Sequence, residues 1–123
     1  MLKPFDFQYL DQIEAINNRT YRSRWQSFDE GKVYVGRKVQ GFSLINTGST
    51  IMVLRIMVDR LYRGRGIGTL LLNSILLKKR PLEMVVNERD EHGIAWLRKK
   101  LFFGVGVAKD HYPDGDGWIF RHV

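Results

Sequence analysis

The sequence predicts an α+β fold: a mixed, mostly antiparallel sheet flanked by helices. Two β-rich runs, Lys32 to Val35 and Val39 to Ile45, are separated by Gly36-Arg37-Lys38 and followed by a third, longer apolar run. Later, two amphipathic stretches at helical spacing are each followed by strand-like residues. With 123 residues, of which 44% are hydrophobic and 27% charged, the chain is expected to fold as a single domain spanning 1–123.

Each element has a local reason. Asp6 suits an N-cap, and Phe7, Leu10, Ile13 and Ile16 follow at helical spacing until Asn17-Asn18, which suits a stop. The segment Arg19 to Phe28 mixes arginines with Tyr21, Trp25 and Phe28, and both a loop and a short helix stay open for it. The hairpin Lys32 to Ile45 leads through Asn46-Thr47-Gly48-Ser49 into Thr50 to Val58, whose nearly continuous apolar character predicts a central strand buried on both faces. Gly66 to Leu77 reads as a helix that ends in Lys78-Lys79-Arg80, cations that complement its dipole, and is stopped by Pro81. A short strand, Leu82 to Val86, a helix from Glu91 to Leu101, and strands Phe103 to Lys109 and Trp118 to His122 complete the order, with HYPDGDG as the last turn.

Lys and Arg outnumber Asp and Glu by 20 to 13, so the net charge of +7 favours anionic partners such as nucleic acid, an acidic protein surface or a phosphorylated cofactor. The absence of cysteine excludes disulfides, thiolate nucleophiles and cysteine-based zinc sites, and no metal site is expected. No apolar run approaches the ~18 residues of a membrane span, and MLKPFDFQYLDQ lacks the apolar stretch of a signal peptide, so a cytoplasmic protein is expected.

The most informative stretch is Arg63-Gly64-Arg65-Gly66-Ile67-Gly68, which joins the third strand to the helix. Peptide N–H groups unobstructed at the glycines converge at a helix N-terminus with two guanidinium groups nearby, an arrangement suited to a pyrophosphate. A Walker A loop needs Gly-Lys-Ser/Thr, but Gly68 is followed directly by Thr69. A dinucleotide fingerprint needs G-x-G-x-x-G after an early parallel strand, but here the spacing is G-x-G-x-G behind an antiparallel meander. An RNA-binding Arg-Gly patch and a purely structural turn remain as the other readings.

These residues resemble the GNAT superfamily of acyl-CoA-dependent N-acetyltransferases. Its signature of Arg or Gln, two residues, Gly, one residue, then Gly or Ala is matched by Arg63, Gly66 and Gly68. Leu54 to Asp59 resembles the preceding strand, Thr69 to Leu72 the following helix, and the order of elements from about Val33 onward is similar. Within the family the chain most resembles the RimI-type protein N-terminal acetyltransferases, since it is short and His111-Tyr112-Pro113 stands where they often carry Tyr-Tyr-Pro. The resemblance implies acetyl-CoA as cosubstrate: pantetheine pairing with the backbone of Ile56, Met57 and Val58, and pyrophosphate held by Arg63, Gly64, Arg65, Gly66, Ile67, Gly68 and Thr69. It implies direct transfer to a primary amine, on a protein N-terminus or a small molecule.

The catalytic residues depart from the family pattern. The tyrosine that usually protonates the departing thiolate falls on Leu97 or Arg98, neither of which can act as that acid. The RimI-type glutamate falls on Val85 or, with the strand aligned on Leu82-Glu83, on Glu83, which is then the candidate base. His92, Glu88 and His111 are the other titratable candidates, and Tyr112 supplies a phenol in the last turn as candidate acid. Tyr21, Arg22, Arg24 and Trp25 flank the acceptor groove by the same resemblance, either gripping an acidic peptide or forming a solvated helix face. Three readings follow: an N-acetyltransferase, a GNAT-like CoA-binding module with little or no catalysis, and, least favoured, a nucleic-acid-binding protein. Nothing in the sequence sets the oligomeric state.

Overall fold

The computed structural model describes residues 1–20 and 27–123, with the side chains of 18–20 outside that description. Seven strands, β1 (Leu2–Pro4), β2 (Glu30–Val35), β3 (Val39–Asn46), β4 (Ile51–Val58), β5 (Leu82–Asn87), β6 (Phe103–Tyr112) and β7 (Gly115–His122), hydrogen-bond in the order β1-β2-β3-β4-β5-β7-β6. Among the described residues three helices accompany them: α1 (Leu10–Thr20), α2 (Ile67–Leu76) and α3 (Glu91–Lys99). The α+β class and the hairpin-plus-central-strand order are as expected. By contact density the chain divides into two compact units, Met1–Thr47 with Leu54–Lys79, and Gly48–Val53 with Arg80–Val123.

In the first unit, Ile13 and Ile16 of α1 are buried in one cluster with Val33, Val39, Phe42, Leu44 and Met57. Burying a side chain of this kind contributes about 1.5–3 kcal/mol. Gln12 Oε1 accepts the Val39 N–H at 2.8 Å, tying the helix to the start of β3. Several local expectations change. Asp6 does cap, but it caps a 3-10 turn, Phe7–Tyr9, by accepting the Gln8 N–H at 2.9 Å. Phe7 is 80% exposed and sets its ring edge-on to Phe5 at 5.5 Å, so it is not a core residue. The helix runs through Asn17 and Asn18 to Thr20, because Asn17 lies on its buried face, where packing outweighs a weak helix propensity. β1 was not foreseen: it pairs Leu2 with Tyr34 and Pro4 with Lys32, and a three-residue strand has no periodicity to read.

β4 is buried on one face only, not both. Ile51, Val53 and Met57 are buried, whereas Met52, Leu54, Arg55, Ile56 and Val58 are half-buried, giving the alternation of a strand with one core face. Gly41 on β3 lets β4 and α2 come close: a Cβ there would sit 2.9 Å from the Met57 carbonyl oxygen and 3.0 Å from Ile67 Cγ2. Gly41→Ala is therefore expected to destabilise the protein by about 1–3 kcal/mol, the usual range for overpacking, as read by denaturant unfolding. An unchanged midpoint would show that the contact is loose.

In the second unit, the start of β4 runs parallel to β5, with Ile51 opposite Leu82 and Met52 opposite Glu83, and β5 pairs antiparallel with β7 from Leu82–His122 to Asn87–Gly117. Asp90 caps α3 by accepting the Gly93 N–H at 2.9 Å, and Arg98 and Lys99 occupy its last turn, where cations are favoured. The helix stops at Lys99, short of the expected Leu101, whose φ of 67° is left-handed. The last turn is Pro113-Asp114 alone, so β6 and β7 are longer than expected. Asp116 Oδ1 accepts the Asp110 N–H at 2.8 Å where the β6–β7 register shifts, between Ala108 and Tyr112; a second shift lies between Gly104 and Gly106. Among the described residues, no helix is long and apolar enough to cross a membrane.

Candidate functional site

The end of β4 and the start of α2 form one tethered turn. Asp59 is buried and donates its N–H to the Gln40 carbonyl at 2.7 Å, while its Oδ1 accepts the Leu61 N–H at 3.2 Å. A short 3-10 turn, Arg60–Tyr62, follows, and Arg63 Nε reaches back to the Val58 carbonyl at 3.2 Å. Gly64 and Gly66 then take φ of 79° and 81°, the left-handed region that side chains with a Cβ disfavour. A Cβ at either glycine would meet nothing within 4 Å, so the space in front of this backbone is open.

Gly66 caps α2 with no side-chain hydrogen bond. A helical bond closes from the Leu70 N–H to the Gly66 carbonyl at 3.0 Å, and helix geometry leaves the N–H groups of Ile67, Gly68 and Thr69 without intrahelical acceptors. Ile67 is buried and anchors the turn, while Arg60, Arg63, Arg65 and Gly66 are exposed. Donors without intrahelical acceptors, the positive end of the helix dipole and three exposed arginines favour an anion here, a helix terminus alone contributing about 0.3–1 kcal/mol. The residues fit a pyrophosphate: open glycine backbone is what close approach of phosphate oxygens requires.

An aromatic ring beside the turn adds to this charge. The Tyr62 ring has the Arg65 guanidinium 5.2 Å and the Lys38 amine 5.6 Å from its centroid, so it orients one cation of the turn and one of the β2–β3 connection. Lys38 carried no motif, since only folding brings it to Tyr62. Asn17, whose residue type suits a helix stop, is 2% exposed within α1, and its carboxamide oxygen has no partner among the described residues.

The catalytic candidates lie in the second unit. Glu83 is half-buried on β5, opposite Arg121 of β7 and Met52 of β4. The Tyr112 hydroxyl donates to the Val85 carbonyl at 3.2 Å, which brings it to the β5 backbone two residues along from Glu83. Gly117 makes room for this fold-back, as a Cβ there would lie 2.5 Å from Val85 Cγ1 and 3.1 Å from His111 Cβ. His111 is exposed, with its ring 4.8 Å from that of Tyr112; His92 is exposed on α3, and Glu88 is half-buried at the end of β5. At the two positions aligned with the usual tyrosine, Leu97 is 2% exposed and Arg98 is exposed. Tyr21, Arg22, Arg24 and Trp25 lie outside the described residues.

No family model and no curated protein matches the sequence. Solved structures do match in fold. Ard1 from Thermoplasma volcanium superposes with a TM-score of 0.90 at 17% identity, covering 99% of this chain and 95% of that one. Naa50 of Arabidopsis thaliana, solved in complex with the bisubstrate analogue CoA-Ac-MVNAL, gives 0.87 at 19% identity over 100% and 97%. The ribosomal-protein-S18-alanine N-acetyltransferase of Escherichia coli gives 0.82 at 19% identity over 98% and 91%. The chain therefore has the fold of these proteins over almost its whole length.

Proposed function

We propose that the protein is an acetyl-CoA-dependent N-acetyltransferase that moves an acetyl group directly to a primary amine, with a protein N-terminus as the favoured acceptor. The observation that carries this reading is the turn from Arg63 to Thr69, with its open left-handed glycines, N–H groups without intrahelical acceptors and exposed arginines, in a chain that has the fold of N-acetyltransferases. The choice of a protein N-terminus rests on the kind of fold relatives: one is named as an enzyme of a ribosomal-protein alanine, and another was solved with CoA joined to the peptide MVNAL.

In this reading Arg63, Gly64, Arg65, Gly66, Ile67, Gly68 and Thr69 hold the pyrophosphate, and the backbone of Ile56, Met57 and Val58 receives the pantetheine arm as an added strand. The Val58 carbonyl already carries the Arg63 bond, so Ile56 and Met57 are left the larger share. Acetyl-CoA supplies the activated thioester. The amine nitrogen attacks the thioester carbon, the carbon–sulfur bond breaks, and the thiolate takes a proton while the new amide loses one. Glu83 is assigned as the base for the amine and Tyr112 as the acid for the thiolate.

Incubation with acetyl-CoA and a panel of peptide and small-molecule amines, followed by mass spectrometry, tests the reading; acetylated peptide N-termini are the expected product. The burial of Leu97 and exposure of Arg98 favour one competing reading, a CoA-binding module that lacks the usual acid. It predicts CoA binding with no acetylated amine in the same experiment.

Tyr112→Phe separates an acid from a strut. Loss of the bond to Val85 costs about 0.5–1.5 kcal/mol of stability in either case. Loss of an acid lowers turnover about 100-fold or more with little change in acetyl-CoA binding. Wild-type turnover in this variant would remove Tyr112 from the mechanism.

A further inference from the structure

Lys38 stands in the β2–β3 connection, and the bond from the Asp59 N–H to the Gln40 carbonyl brings that connection beside the turn before α2. There its amine and the Arg65 guanidinium share one half-buried ring, that of Tyr62, at 5.6 and 5.2 Å from the centroid. Both cations are exposed, and neither has a carboxylate partner among the described residues. The face of the ring offsets part of the repulsion between two like charges gathered at one place. An anion of matching charge offsets the rest, and a phosphate monoester, with about two negative charges near neutral pH, has that charge.

The place of this pair of cations decides which phosphate it suits. Beyond the Met52–Glu83 pair, β4 has no partner strand on its β5 side among the described residues, whereas Lys38 and the Tyr62 ring beside it lie on its β3 side. A ligand whose pantetheine arm pairs on the β5 side, and whose pyrophosphate meets the N-terminus of α2, comes to Tyr62 with whatever follows the pyrophosphate. In CoA that is a ribose bearing a 3′-phosphate monoester. We infer that Lys38, held beside Arg65 by the Tyr62 ring, binds this 3′-phosphate and makes the protein prefer CoA to 3′-dephospho-CoA, an assignment that rests on the acetyl-CoA reading above and extends it to a residue outside the glycine-rich turn. Lys38 is the binding group, and Tyr62 is a positioning residue that acts through the two cations on its ring.

Isothermal titration calorimetry with CoA and with 3′-dephospho-CoA tests the assignment. The wild type is expected to bind CoA about tenfold more tightly, the effect of a charge-assisted contact at an exposed site. Lys38→Gln is expected to weaken CoA by most of that factor and to leave 3′-dephospho-CoA unchanged. Arg37→Gln removes the same charge one residue away, from an exposed side chain without a ring contact among the described residues, and is expected to keep the wild-type preference. Tyr62→Phe, which retains the ring, is expected to keep the preference as well, and Tyr62→Leu to lose it. Equal affinity of the wild type for the two ligands overturns the inference, and so does a Lys38→Gln variant that weakens both alike or neither. An equal loss of preference in Arg37→Gln overturns it too, since a diffuse field then does the selecting, and full preference in Tyr62→Leu overturns the positioning role of the ring. A wild type that binds neither ligand overturns the acetyl-CoA reading itself, a result distinct from binding both alike.

Discussion

Gly66→Val is expected to abolish the thermal stabilisation that CoA gives the wild-type protein. At a CoA concentration about 100 times its dissociation constant, binding to the folded state alone contributes about 2.7 kcal/mol, a shift of several degrees in melting temperature. Two effects of the substitution act together. The valine projects into the open space in front of the turn, where the phosphate oxygens must approach, and residue 66 sits at φ of 81°, which a β-branched residue adopts only with strain. Strain of about 1–3 kcal/mol lowers the melting temperature of the unliganded variant as well. The measurement is therefore the difference between scans with and without CoA, in which the strain is common to both. A wild-type difference in the variant would remove this turn as the pyrophosphate site.

Leu97→Ala is expected to cost about 2–5 kcal/mol of stability, the range for emptying a buried leucine site. The side chain is 2% exposed on α3, so the loss includes both its transfer term and the cavity left behind. Denaturant unfolding reads the effect, and turnover per folded molecule at saturating acetyl-CoA should stay near wild type. Full stability with lost turnover would show that Leu97 acts in the chemistry. The same burial sets the expectation for Leu97→Tyr: introducing a phenol there overpacks the site and costs about 1–3 kcal/mol before any gain in proton transfer appears.

What the sequence made legible was local. The β2–β3 hairpin, the glycine-rich turn and the amphipathic helices α2 and α3 each declare themselves within a dozen residues, through turn chemistry and apolar spacing. The turn proposed to hold the pyrophosphate was legible for the same reason, because its N–H groups belong to consecutive residues. What escaped depended on distant partners. β1 exists because Leu2 to Pro4 find Tyr34 to Lys32, and Phe7 is left at the surface although its spacing from Leu10 and Ile13 suits a helix face. The two-residue turn at Pro113-Asp114 is set by side chains far apart in sequence, since Asn87 Nδ2 donates to Asp114 Oδ1 at 2.8 Å. The catalytic residues were the least legible of all: a proton path is a matter of which groups face one another, and the position that usually marks it carries Leu97 or Arg98.

The tethers of the turn before α2 bear on the thermodynamics of binding. Asp59 holds Gln40 and Leu61, and Arg63 holds Val58, so the two ends of the segment are fixed before any ligand arrives. The conformational entropy of ordering this backbone, about 1–2 kcal/mol per residue, is then lost during folding and not again on association. Amide hydrogen exchange at Asp59, Leu61 and Tyr62, whose N–H groups are bonded already, should slow only modestly when CoA binds, and cutting one tether with Arg63→Gln should shift that ordering cost onto the binding step, weakening affinity through a less favourable entropy.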